Sequence, residues 1–137
     1  MLRTMDKIDI LAGLPIFANL HPRSLQAVNA LAVASSAPAG TVLMREGEPA
    51  DSFYVIVSGT VRIERGGRFV RSITDGGFLG EIGLLEDAER SATAVCTTDC
   101  AFIELGGHEF RRVVDTFPDV RSRVEAAAAR RPPIAEG

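Results

Sequence analysis

The chain has 137 residues, 46% apolar and 24% charged, which fits one soluble globular domain with its own core. Lys and Arg number 15 against 18 Asp and Glu, and the resulting net charge of −3 argues against a broad basic surface for nucleic acid. No apolar run approaches the roughly 20 residues of a membrane span. Asp6, Lys7 and Asp9 interrupt the first apolar stretch, so it does not read as a secretory signal.

In chain order, Ile8, Leu11 and Ala12 recur at helical spacing from Asp6 until Gly13 stops them. Pro22 stands where a first helical residue would, and Leu25, Val28, Leu31 and Ala32 follow at helical intervals. From Val33 to Leu105 the texture changes to short apolar runs: Val42 and Met44; Phe53, Val55 and Val57; Val61 and Ile63; Phe69, Val70 and Ile73. Glycines at 40, 47, 59, 66, 67, 76 and 77 punctuate them. Short strands with turns this frequent predict an antiparallel sandwich or roll rather than βαβ units. Helical period returns in Phe110, Val113, Val114 and Phe117, and Pro118 opens a last helix that Pro132 and Pro133 end. The fold class is therefore mainly β with flanking α: a jelly-roll-like antiparallel β-roll between N-terminal and C-terminal helices. One domain over 1–137 is expected, with N-terminal helices in 6–32, the roll in 33–105 and C-terminal helices in 107–131.

Cys96 and Cys100 lack a CxxC partner, so buried reduced thiols are expected rather than a disulfide framework or a zinc knuckle. His21 and His108 lie too far apart in sequence to suggest a metal site. An enzyme of the cupin kind, which needs clustered histidines, is disfavoured.

The segment from Phe78 to Thr93 breaks the strand texture. A glycine turn opens a short apolar helix near Gly80 to Leu85, and Arg90 then begins a new strand. Backbone N–H groups at a helix start can hold a phosphate, and Arg90 can add a bidentate guanidinium contact. Glu81 is an acceptor-only carboxylate suited to a ribose hydroxyl. Gly83, Ser91 and Ala92 are small enough for a ligand to approach the backbone. These residues read as an anion-plus-sugar pocket. The alternative from the same residues is structural: Glu81 as a first-turn acid, and Arg90 paired on the surface with Glu86, Asp87 or Glu89.

Phe78, Gly80, Glu81, Ile82, Gly83, Leu84, Arg90, Ser91 and Ala92 follow the pattern F-x-G-E-(I/L)-(G/A)-L, spacer, R-(S/A/T)-A. This resembles the phosphate-binding cassette of the cyclic nucleotide-binding domain family, here residues 78–93. The similarity extends upstream through Pro38-Ala39-Gly40, Arg45-Glu46-Gly47-Glu48, Asp51 and Tyr54 to Gly59, and back to Leu14-Pro15-Ile16-Phe17. It continues forward to Phe110 and Phe117-Pro118. The resemblance implies that Glu81 accepts the ribose 2′-hydroxyl and that Arg90 neutralises the cyclic phosphate. Gly80, Ile82, Gly83, Leu84, Ser91 and Ala92 would complete the cradle, and Ile63 and Val70 would line the base and sugar walls. Arg131 falls near a position that reaches the nucleotide in some members.

The function implied is a stand-alone cytoplasmic sensor that is not an enzyme and uses no cofactor. Its ligand would be cAMP ahead of cGMP, signalled through the C-terminal helices to an effector protein. No contact with nucleic acid or membrane is expected. The alternatives are a degenerate domain serving only protein interaction, or the excised sensor of a transcription regulator or channel.

Overall fold

The computed structural model describes residues 6–81, 84 and 89–130. Helix α1 spans Lys7–Gly13 and α2 spans Pro22–Leu31, with a 3-10 turn at Pro15–Phe17 between them. Pro22 sits in the first turn of α2, and the His21 ring caps it by accepting from Arg23 N at 3.1 Å. The strands are β1 Val33–Ala37, β2 Val42–Met44, β3 Ser52–Ser58, β4 Val61–Arg65, β5 Arg68–Ile73, β6 Phe78–Leu79, β7 Thr93–Cys96 and β8 Cys100–Gly106. Helices α3, Gly107–Thr116, and α4, Pro118–Arg130, follow.

The strands form two antiparallel four-stranded sheets, ordered β1-β8-β3-β6 and β2-β7-β4-β5. This is the β-roll with flanking helices that the sequence predicts. Its apolar residues divide into two clusters, and β3 serves both. Tyr54 and Ile56 point between the sheets, where they meet Val61, Ile63, Ile73, Leu79, Ala92 and Cys96. Phe53 and Val55 point the other way, into a cluster built from Leu11, Phe17, Val28, Phe110, Val113, Val120 and Val124. A strand covered on both faces reads as a continuous apolar run, which is why Ser52–Ser58 does not alternate cleanly.

Three local expectations are corrected. Arg90 does not begin a strand: Glu89 makes an isolated bridge to Pro49, and β7 starts only at Thr93. Phe69 does not join the core with Ile73; it is 54% exposed and lies under the Arg62 guanidinium, 4.9 Å from the ring centroid. A bulge between Ile63 and Glu64 shifts the β4–β5 register and turns Phe69 outward. Arg90 does not pair with Glu89 on the surface either, since it is buried and bonded elsewhere. Glu86, Asp87 and the closing Pro132-Pro133 lie outside the described residues.

Cys96 and Cys100 are free and buried. Burial first, and then the Cys100 thiol beside it, pushes the Cys96 pKa up to about 11, so its thiol stays protonated at neutral pH.

Phe53 anchors the outer cluster, with its ring 4.6 Å from Phe110 and 5.5 Å from Phe78. Phe53→Ala is expected to lower stability by about 3–5 kcal/mol in urea unfolding, through lost burial and the cavity left behind. Phe69→Ala on the exposed face is expected to change it by less than about 1 kcal/mol.

Candidate functional site

Arg90 bonds the 78–93 segment to the roll, beside the β6–β3 pairing and the Glu89–Pro49 bridge. Arg90 is buried at 4% exposure, and its guanidinium is clasped from three sides. Nη1 donates to Gly80 O at 3.3 Å, and Nη2 donates to Ser52 O at 2.8 Å and Asp51 Oδ1 at 3.2 Å. Its backbone is fixed as well: Arg90 N donates to Glu48 O at 2.7 Å, and Gly47 N donates to Arg90 O at 2.9 Å. The turn ahead of β3, the start of β3 and the turn before Glu81 therefore converge on this residue.

The electrostatics follow from the burial. A desolvated guanidinium needs its charge answered, and the two carbonyls answer it with partial charges only. Among the described residues Asp51 supplies the carboxylate, from a side chain that is 82% exposed and thus well screened. A guanidinium has five N–H groups. Among the described residues three are engaged, which leaves Nε–H and one Nη1–H able to meet an anion.

Gly80 is required by this geometry. Its φ of +97° lies in the left-handed region, and a Cβ there would stand 2.6 Å from Ser52 O and 2.9 Å from Arg90 Nη1. Glu81 follows in helical backbone and is fully buried, with interactions of its own. Ala92, Ile63 and Val70 all reach the inner cluster, Val70 from its half-buried edge, so these three share one wall of the roll interior. Ser91 is exposed. Leu84 turns the other way, since its side chain belongs to the outer cluster with the helices. Ile82, Gly83 and Arg131 lie outside the described residues.

Two features escape the sequence reading. Asp51 is a partner of Arg90 across 39 positions of chain, and no local spacing points to that pairing. Arg111 on α3 donates to Leu84 O at 3.0 Å, and Gly107 N donates to Asp51 O at 2.9 Å. The start of α3 is thereby bonded both to the segment that carries Glu81 and to the turn that holds Arg90.

Gly80→Ala is expected to lower stability by about 1–3 kcal/mol in urea unfolding, because the new Cβ meets a rigid carbonyl in a strained conformation. Gly13→Ala, where a Cβ would meet nothing within 4 Å, is expected to cost no stability.

Residues 34–117 match the cyclic nucleotide-binding domain family. The chain is 32% identical over 117 residues to the cAMP-dependent protein kinase regulatory subunit of Aspergillus niger, covering 84% of this chain and 28% of that one. It is 36% identical over 100 residues to the cAMP-activated global transcriptional regulator CRP of Escherichia coli, covering 69% of this chain and 48% of the relative. The chain thus spans between about a quarter and a half of these relatives. Among solved structures, PKAR CBD2 with bound Sp-2Cl-cAMPS superposes with a TM-score of 0.77 at 25% identity, covering 90% of this chain and 85% of that chain. A putative cyclic nucleotide-binding protein from Geobacter metallireducens shares the fold at a TM-score of 0.81 and 21% identity, over 93% and 98% of the two chains. The chain belongs to the cyclic nucleotide-binding domain family.

Proposed function

We propose that this chain is a single regulatory domain that binds cAMP and passes the signal through its C-terminal helices. The observation that carries this reading is the buried Arg90 guanidinium, held by Gly80 O, Ser52 O and Asp51 with two N–H groups to spare. A cyclic phosphate is a monoanion with two free oxygens; the Nε–H can meet one of them, and backbone N–H groups the other. Glu81 accepts from the ribose 2′-hydroxyl beside it. The Ser91 hydroxyl and nearby backbone N–H groups complete the cradle. Ile63, Val70 and Ala92 supply an apolar wall for sugar and base. The relatives named for cAMP support the choice of nucleotide. The buried free thiols fit a reducing cytoplasm. The role is binding without a catalytic step.

The output path is short. Leu84 inserts its side chain among α3, α4 and the N-terminal helices while Arg111 holds its carbonyl. Helix α4 rests on the Pro15–Phe17 turn, where Arg123 Nη1 donates to Ile16 O at 3.1 Å. Among its described residues Val120 and Val124 are buried, and the alanines that follow offer little area, so its docking area is small. A ligand that draws the 80–92 segment inward changes what Leu84 and Arg111 offer to α3. It shifts the helices by the difference in its affinity for the two arrangements. An effector protein would read the helices in one of them.

Calorimetric titration with cAMP tests the binding. Saturable binding is expected, and Arg90→Ala should weaken it by about 30- to 5,000-fold, the range for truncating one partner of a buried charge-assisted contact. Glu81→Gln should cost less, about 1–3 kcal/mol, and reduce the preference for cAMP over its 2′-deoxy analogue. An Arg90→Ala protein that stays folded and binds within a few-fold of wild type would contradict the phosphate role.

Hydrogen exchange tests the output. Saturating cAMP is expected to raise protection across 80–92 and to change it across 110–130. A C-terminal region identical with and without ligand would leave a binding domain with no switch in these helices.

A further inference from the structure

Among the described residues the two sheets end in four edge strands, β1 and β6 on one sheet and β2 and β5 on the other. An edge leaves a row of backbone N–H and C=O groups open to another strand, and proteins blunt such edges with charge, bulges or brevity. Three of these four are blunted. β6 has two residues, and β2 has three with a shift of register against β7. β5 carries Arg68 and Arg71 and lies beside the bulge in its pairing with β4. β1 has none of these devices. Val33–Ala37 pairs with β8 in unbroken register over its whole length and contains no proline and no charge.

Its flanks are uncharged too. No Asp, Glu, Lys or Arg occurs between Arg23 and Arg45, in a chain where 24% of residues are charged. Val33, Ala34, Ser35 and Ser36 are exposed, Val33 at 59%. Such an edge is suited to a strand as neutral as itself, and its own sequence fits. With two copies antiparallel about a twofold axis at Ser35, Val33 stands opposite Ala37, Ala34 opposite Ser36, and Ser35 opposite Ser35. Val33 then gains an apolar neighbour, no like charges meet, and the two Ser35 hydroxyls can bond each other. Pro38 would come opposite Ala32, so the pairing ends where the strand does. The same arrangement of two β5 edges would bring the arginines of both copies together.

We propose that β1 is a self-pairing edge through which two copies of this chain join, extending the β1-β8-β3-β6 sheet into one of eight strands. The edge is separated from β3 by β8, so the proposal does not rest on the cyclic-nucleotide reading. One strand pair of this length buries less than the about 800 Å² per partner of a standard interface, so the expected dissociation constant is about 0.1–1 mM. Sedimentation equilibrium of the full chain up to about 1 mM should therefore show monomer and dimer in exchange. Ser35→Lys sets two ammonium groups face to face and should weaken the dimer at least about fivefold, with an unchanged thermal melt. Ser72→Lys, the same substitution on the exposed side of β5, should leave the dimer as in wild type. A chain that stays monomeric throughout, or a dimer that both variants weaken equally, would overturn the proposal. Cross-linking with oxidised glutathione tests the register. In Ser35→Cys the new thiols of the two copies lie on Cα atoms about 4.5–5.5 Å apart, and a chain-to-chain disulfide is expected. In Val33→Cys, also an exposed position, they lie about 13 Å apart along the strands, beyond the reach of a disulfide. Equal cross-linking of these two variants, whether complete or absent, would contradict the pairing about Ser35.

Discussion

The structure depends on a single buried cation. The Arg90 guanidinium cannot sit at 4% exposure without partners, and those it takes come from two separate pieces of chain, Asp51-Ser52 and Gly80. Gly80 O fixes the turn that precedes Glu81, Ser52 O fixes the start of β3, and Asp51 fixes the turn ahead of that strand. Its own backbone adds the Gly47–Glu48 turn. The desolvation cost of the charge is thus offset by contacts that close the site. The same economy leaves the cation locally under-neutralised, because its sole carboxylate partner among the described residues is mostly in solvent.

The second constraint is that β3 is buried on both faces. Its inner residues, Tyr54 and Ile56, belong to the roll, and its outer residues, Phe53 and Val55, belong to the helical cluster. The chain therefore has two apolar cores separated by one strand's thickness. Leu84 is the point where the segment around Glu81 enters the outer core, and Arg111 holds its carbonyl. Packed atoms and one charged hydrogen bond thus join the segment around Glu81 to α3. Gly107 N on Asp51 O ties the same helix to the Arg90 partner.

Much of this was legible in the sequence, for physical reasons that differ by element. Pro22 and Pro118 open helices because proline tolerates the first turn and little else in a helix, and both stand there in the structure. The roll was legible from its glycines and short apolar runs. The Gly80-Glu81 and Arg90-Ser91-Ala92 pieces stood out through their match to the family's cassette pattern, while the burial of Arg90 rests on Asp51 and Ser52, which lie far off in the chain. What escaped was long-range or conformational. Asp51 meets Arg90 across 39 positions of chain, a pairing that only the folded sheet brings together. Phe69 faces out because a bulge moves the register, and bulges leave no reliable trace in composition.

The account stands or falls on Arg90, and nitrogen-15 NMR of its guanidinium observes that group directly, with the signal assigned by its loss in Arg90→Lys. In the free protein the account predicts distinct, slowly exchanging Nη protons, as three fixed acceptors require. On titration with cAMP it predicts a shift of the Nε–H signal that saturates with binding. Averaged Nη signals in the free protein, together with an Nε–H that does not move when the site is full, would contradict it.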